Sequence, residues 1–240
     1  MVQLKAVIFG AIGVIAETSD LQRQAFNLAF AEANLDWNWD TETYRRLLSI
    51  NGGQTRLRAY RDEIGQRSDV SDEMIATLHD RKTYHYSTLT AAGAVKPRPG
   101  VAELIKVCRD AGLRVAFCTS TSMDNVDAIK SALGDQVDFG AFASTTTIDK
   151  IRAVKPAPDA YLHCLSQLGL AANEVVAIED TPVSMAAAIT AGIVVIATPG
   201  AMTDDQDFSG AALIVDDLAT LTLEQIDALL TANAGKPAQA

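Results

Sequence analysis

The chain has 240 residues, 48% of them hydrophobic and 21% charged, which places it among ordinary globular proteins with room for one generous core or a core and a smaller domain. A formal net charge of −10 excludes nucleic acid and anionic membrane as main partners, because both require a basic face. There is no apolar run of about 18 residues to span a bilayer and no signal-peptide pattern, and Cys108, Cys118 and Cys164 are odd in number and lack metal spacing, so three buried thiols in the reducing cytoplasm are expected.

In chain order, a first strand is expected at "AVIF", residues 6–9, running into the glycine turn of "VIFGAIGVIAET". From residue 19 to about 90 only helical patterns follow: "DLQRQAFNLAFAEA", "TETYRRLLSI", "TRLRAYRDEI" and "DEMIATLHDRKTYHYSTL". Ser19 and Gln22 have the spacing of a capping box for the first of these helices. Arg45, Arg46, Arg56 and Arg58 read as a solvated helix face, and His79, His85 and His163 as helix-surface or core residues. Beyond "KPRPGV", Val101, Leu104, Ile105 and Cys108 form an apolar stripe that Gly112 stops. Unalternating apolar runs then recur at "RVAFC" (114–118), "VVAI" (175–178), "IVVIA" (193–197) and "ALIV" (212–215), the pattern of strands buried on both faces. Thr181 and Pro182 suit the N-cap and first position of a helix whose stripe of Met185, Ala188 and Ile189 ends at Gly192. A last helix follows "DDLATL", and "AGKPAQA" reads as a frayed tail.

This alternation predicts an α/β fold with a doubly wound parallel sheet. Its core takes residues 1–17 and 92–240, and the helical insert 18–91 is expected as a cap over the C-terminal strand ends, where open α/β sheets bind ligands. Hinges are expected near Thr18 and between Pro97 and Gly100.

Three segments carry polar chemistry at strand ends. Thr119 follows the "RVAFC" run and precedes a helix start, so its hydroxyl and the free N–H groups suit an anion; a plain N-cap is the alternative. Lys155 stands before Pro156 in extended chain, where an ammonium would neutralise a phosphate, unless it is an ordinary surface lysine. Glu179 and Asp180 close an apolar strand as adjacent carboxylates, suited to a hard cation such as Mg2+ or to the helix N-terminus that follows.

In order and spacing, "VIFGAIGVIAET", "VAFCTST", "VKPAPDAY" and "VVAIEDTPVSMAAAITAGI" resemble the four motifs of the haloacid dehalogenase (HAD) superfamily, and the insert resembles its α-helical cap. "WNWDTETYRRLLSINGG" and "TPGAMTDDQDFSGA" look like the CbbY-like sugar-phosphate phosphatases, neighbours of β-phosphoglucomutase. The resemblance implies a Rossmann-like core, a small phosphorylated metabolite as ligand and Mg2+ as cofactor. It implies phosphate contacts from Thr119, Ser120 and Lys155, substrate contacts in the cap from Gly52, Gly53 and Arg56, and metal ligation by Asp180 and Glu179.

The first motif departs from the family. There, Asp-x-Asp-Gly supplies the nucleophile that becomes an aspartyl-phosphate and, two residues on, the general acid/base. With Phe9 and Gly13 as anchors, those two positions hold Gly10 and Ile12. Loss of a general acid/base costs on the order of 10²–10⁴ in rate, and loss of the nucleophile removes the covalent route altogether. A Mg2+ site also loses a charged ligand and is left weak or absent. In the cap, Gln54 and Thr55 replace a lysine and a glutamate of the resembling loop, and Gln22 replaces a histidine. Three readings stand: a phosphate- or sugar-phosphate-binding or regulatory pseudoenzyme, an active Mg2+-dependent hydrolase with another nucleophile such as Glu17, or an interaction protein with an empty pocket.

Overall fold

A computed structural model describes residues 3–50 and 52–233; the tail expected at 234–240 lies outside the described residues. Two compact units result, one built from the chain up to Glu17 and from Val95 onward, the other from Thr18–Ala94.

The first unit is a sheet of six strands in the order β3-β2-β1-β4-β5-β6, every neighbouring pair parallel. β1 is Ala6–Gly10, β2 Arg114–Cys118, β3 Phe142–Thr146, β4 Val175–Glu179, β5 Val194–Ala197 and β6 Leu213–Ile214. The helices of this unit are α1 (Ala11–Ile15), α6 (Val101–Asp110), α7 (Met123–Leu133), α8 (Asp159–Leu168), α9 (Pro182–Thr190) and α10 (Leu223–Asn233). Ala6, Ile8, Ala116 and Cys118 share one core with α8 and α9, while the alternate residues Val7, Phe9, Val115 and Phe117 are equally buried on the other face. Burial on both faces explains the unbroken apolar runs.

β3 is the strand that the apolar pattern does not announce. Its sequence, FASTT, is half exposed along most of its length because it is an edge strand with a single neighbour, β2. The opposite edge, β6, shrinks to two residues where four were expected.

Helix ends follow local chemistry. Thr181 caps α9, its hydroxyl accepting from Ser184 N at 3.2 Å, with Pro182 at the first position. α6 gives way to Gly112 at φ 75°, a left-handed conformation that glycine adopts without steric cost. The two chain passes at Ala16 and Pro97 form an antiparallel bridge, and Arg98 N donates to Ile15 O at 2.8 Å.

The second unit is helical: α2 (Ser19–Glu32), α3 (Thr41–Leu48), α4 (Gly53–Glu63) and α5 (Asp72–Leu89). Its core is aromatic, with Trp39 4.6 Å from Phe26 and 5.0 Å from Phe30 between ring centres. Such pairs add about 0.5–1.5 kcal/mol beyond the area they bury. Arg61, 4% exposed, donates to Val70 O at 3.0 Å and to Asp72 at 2.7 Å, which ties the α4–α5 connection to the core. The Ser19–Gln22 capping box does not form. The helix begins one residue earlier than that motif needs, with Thr18 at the N-cap position and Gln22 N donating to Thr18 O.

Candidate functional site

In the first unit the C-terminal ends of β1, β2 and β4 bring Gly10, Thr119, Ser120, Glu179 and Asp180 to one edge of the sheet, and the loop before α8 delivers Lys155 there. Lys155 is not a surface residue: it is 3% exposed, and Glu179 is fully buried. The ammonium donates to Glu179 Oε1 at 2.6 Å and to Cys118 O at 3.2 Å. Tyr161, in the first turn of α8, also donates its hydroxyl to Glu179 Oε1. Burial on its own would pull the Lys155 pKa down, but the Glu179 carboxylate outweighs it and the net shift is upward. Tyr161 is held well above the usual phenol range, first by burial and then by the same carboxylate.

This cluster occupies the space that a side chain at position 10 would enter. A Cβ on Gly10 would overlap the Glu179 carboxylate and stand 2.6 Å from the Tyr161 hydroxyl oxygen. Ile12 lies in the short helix α1, partly exposed, and offers no polar atom. A Cβ on Gly13 would overlap Asp180 Oδ2, so that glycine is required for close approach of the β4 loop. Asp180 is raised to about 7, mainly by burial and then by Glu179.

Thr119 is not an N-cap. Ser122 caps α7, and Thr119 sits in the turn before it, its hydroxyl accepting from Thr121 N at 3.2 Å. Ser120 Oγ accepts from Lys155 N at 3.2 Å, which fixes the lysine loop against the end of β2. Glu17 Oε2 accepts from Ala201 N at 3.0 Å, binding it to the loop after β5.

Mg2+ requires oxygen donors. Glu179 Oε2 and Asp180 Oδ1 are buried and lack a hydrogen-bond partner among the described residues, so each could accept a cation. The set is thin: Lys155 already neutralises Glu179, and among the described residues no group of three or more His, Cys, Asp or Glu is placed to hold a metal.

Sequence reasoning missed Arg98. Its guanidinium donates to Gly13 O at 3.2 Å, Thr198 O at 2.7 Å, Pro199 O at 2.8 Å and Asp216 O at 3.1 Å, so it stitches the first motif to the loops after β5 and β6. Tyr161 was also missed: it closes the "VKPAPDAY" segment, and its partner Glu179 comes from a strand that the fold brings to it.

The second unit holds the other proposed contacts. Gly52 has φ 88° and opens α4; a Cβ on Gly53 would come 2.5 Å from His79 Nε2. Arg56 is no part of a solvated face: it turns inward to Leu47 O at 2.8 Å and Ile50 O at 3.1 Å, and burial lowers its pKa. Lys82 lies near it on α5, unsuspected from sequence because its setting depends on rings brought in by the fold.

The description "haloacid dehalogenase-like hydrolase" belongs to the family model that matches residues 4–192. Protein CbbY of Rhodobacter capsulatus is 41% identical over 227 residues, covering 95% of this chain and 99% of that one. CbbY of Cereibacter sphaeroides is 36% identical over 218 residues, 91% of this chain and 94% of that one. Among solved structures, CbbY from Rhodobacter sphaeroides in complex with phosphate superposes with a TM-score of 0.84 at 36% identity, over 94% of this chain and all of that one. A mutant of that protein in complex with xylulose-1,5-bisphosphate superposes equally well, with a TM-score of 0.84. β-Phosphoglucomutase from Clostridium difficile shares the fold at 18% identity, with a TM-score of 0.78.

Proposed function

This chain belongs to the haloacid dehalogenase-like hydrolase family, and we propose that it is a CbbY-like member that binds a phosphate or sugar phosphate without turning it over. One observation carries the reading. The position of the attacking carboxylate is Gly10, and the room beside it is filled by Glu179 and Tyr161. Glycine and isoleucine supply neither nucleophile nor proton carrier at positions 10 and 12.

What supports binding is the retained cationic and hydroxyl edge. Thr119 and Ser120 border the N-terminus of α7, and Lys155 provides a buried positive charge. A phosphate oxygen competing with Glu179 for that ammonium would let the lysine hold the anion. Asp180 and Glu179 Oε2 would hold a Mg2+ if one accompanies the phosphate, where it would neutralise phosphate charge. The ligand class follows from the relatives, whose structures contain phosphate and a pentulose bisphosphate. The protein is then a sensor or partner-regulating module whose output depends on occupancy.

The test is turnover of a sugar-phosphate panel with Mg2+, beside the Gly10→Asp/Ile12→Asp double variant and a CbbY control. Wild-type turnover comparable to the control would sink the reading. Binding is measured by thermal shift with the same panel, where a ligand at a hundred times its Kd adds about 2.7 kcal/mol. No stabilisation by any phosphorylated sugar would favour an interaction protein with an empty pocket.

A further inference from the structure

One side of the sheet presents backbone groups that have no partner strand. β3 has β2 as its single neighbour, and its sequence, FASTT, contains neither charge nor proline, the usual guards of an exposed edge. Its register with β2 is irregular at Val115/Ala116, beside Ala143, and runs evenly from Ser144 to Thr146. Thr119 N donates to Thr146 O, so Thr146 faces β2, and strand alternation turns the N–H and C=O of Thr145 outward. The opposite edge, β6, is two residues long and offers no comparable ladder.

The two ends of the β3 edge differ in shape and charge. Just before the strand, a cavity of about 340 Å³ is lined by Lys130, Asp135, Val137, Asp138, Phe139 and Gly140. Asp138 Oδ2 accepts from Arg109 at 2.6 Å, which leaves Oδ1 to accept from a second cation, and Asp135 is exposed. Just after the strand, the turn Ile148–Lys150 presents Ile148, 43% exposed, and the exposed Lys150, with Arg152 exposed two residues on. Asp149, within that turn, accepts from the Thr147 hydroxyl.

We infer that β3 is a self-association edge, and that its occupant is β3 of a second copy of this chain, antiparallel across a two-fold axis near Ser144. Such an axis brings each end of the edge against the other end of its twin. Ile148 of one copy then meets Val137 and Phe139 at the cavity of the other, and Lys150 meets Asp135 and Asp138. Both contacts occur twice, and the outward groups of Thr145 pair with the partner's backbone. A parallel pairing would instead set like ends together, lysine against lysine and aspartate against aspartate. Two strands of five residues with their flanking turns bury less than the roughly 1,200 Å² at the lower end of standard interfaces, so the dimer is reversible. Each copy carries a net −10, a repulsion that physiological salt screens beyond about 8 Å while leaving the close acid–base pairs.

The test is sedimentation equilibrium of the whole chain at physiological salt, across a Kd expected on the order of 10–100 µM. Association that stops at the dimer is expected, as two-fold closure requires. Lys150→Glu and Asp138→Lys should each weaken the dimer at least about tenfold, because like charges then meet twice. Mixing these two variants sets every acid against a base again, and a mixed dimer of wild-type strength is expected. Ala143→Lys, a change at an exposed position, should abolish association while the melting temperature stays as in wild type. Raising the concentration of the unmodified chain should slow amide exchange in the segment 143–147. A chain that stays monomeric, association that runs past the dimer, or a dimer that survives all three substitutions would overturn the proposal. So would two folded single variants that fail to associate when mixed. No readout involves a ligand at the strand ends, so this inference and the phosphate-binding reading fail separately.

Discussion

Single residues set the character of the strand-end site. Glu179 is buried with Lys155 as its charged partner, and removing one member of such a pair leaves an uncompensated charge. Lys155→Met is expected to cost about 3–5 kcal/mol in chemical denaturation, and Lys155→Met/Glu179→Leu to recover most of it. Loss of the single variant's stability without recovery in the double would refute the coupling. Gly10→Asp meets the Glu179 carboxylate and the Tyr161 hydroxyl, and is expected to destabilise by about 1–3 kcal/mol without creating activity by itself. A Gly10→Asp protein that melts like wild type would show that the space is open. Lys82 gives a pH signature of the opposite kind. Its folded pKa is about 7 against 10.5 unfolded, so the unfolded chain binds the extra proton between those values and wild-type stability rises with pH there. Lys82→Met should therefore stabilise by about 1–2 kcal/mol near pH 6, the gain fading toward pH 10, as read from urea midpoints.

Elements and their connections decide how those residues are held. Arg98 joins three loops through backbone carbonyls, and a lysine cannot reproduce its planar fork. Arg98→Ala and Arg98→Lys are both expected to cost on the order of 2–4 kcal/mol and to speed amide exchange in the segment 198–203. Full rescue by lysine would reduce Arg98 to a simple charge. The elements also show what the sequence makes legible. β1, β2, β4 and β5 stand out because burial on both faces leaves no charged residue except at their ends, Arg114 and Glu179, while β3, covered by one neighbour, has the composition of a loop. Thr119, Lys155, Glu179 and Asp180 can be found because each lies just beyond an apolar run or in a motif that follows one. Arg98, Tyr161 and Lys82 cannot, since their partners come from segments remote in the chain. The unmade Ser19 box fails for a local reason: a start shifted by one residue moves the hydroxyl out of the capping position.

At the scale of the molecule, each unit has its own core, and the two cores differ in kind. The first rests mainly on aliphatic and small residues of the strands, with a few rings such as Phe9 and Phe117 among them and with Cys108, Cys118 and Cys164 buried in that unit. Burial pushes the thiols of Cys108 and Cys118 up to about 12 and that of Cys164 further, so in the folded state they are poor nucleophiles. The second rests on rings, and both tryptophans of the chain, Trp37 and Trp39, are in it. The unmodified chain therefore carries two intrinsic, non-overlapping reporters. Indole emission follows the melting of the helical unit alone, and reaction with a chromogenic disulfide follows the opening of the sheet unit alone. In a denaturant series the two signals are expected to separate if the units unfold in sequence, and to coincide if they unfold as one. A sugar phosphate that binds at the strand ends should then delay the thiol signal more than the fluorescence, which assigns the ligand to a unit without a single substitution.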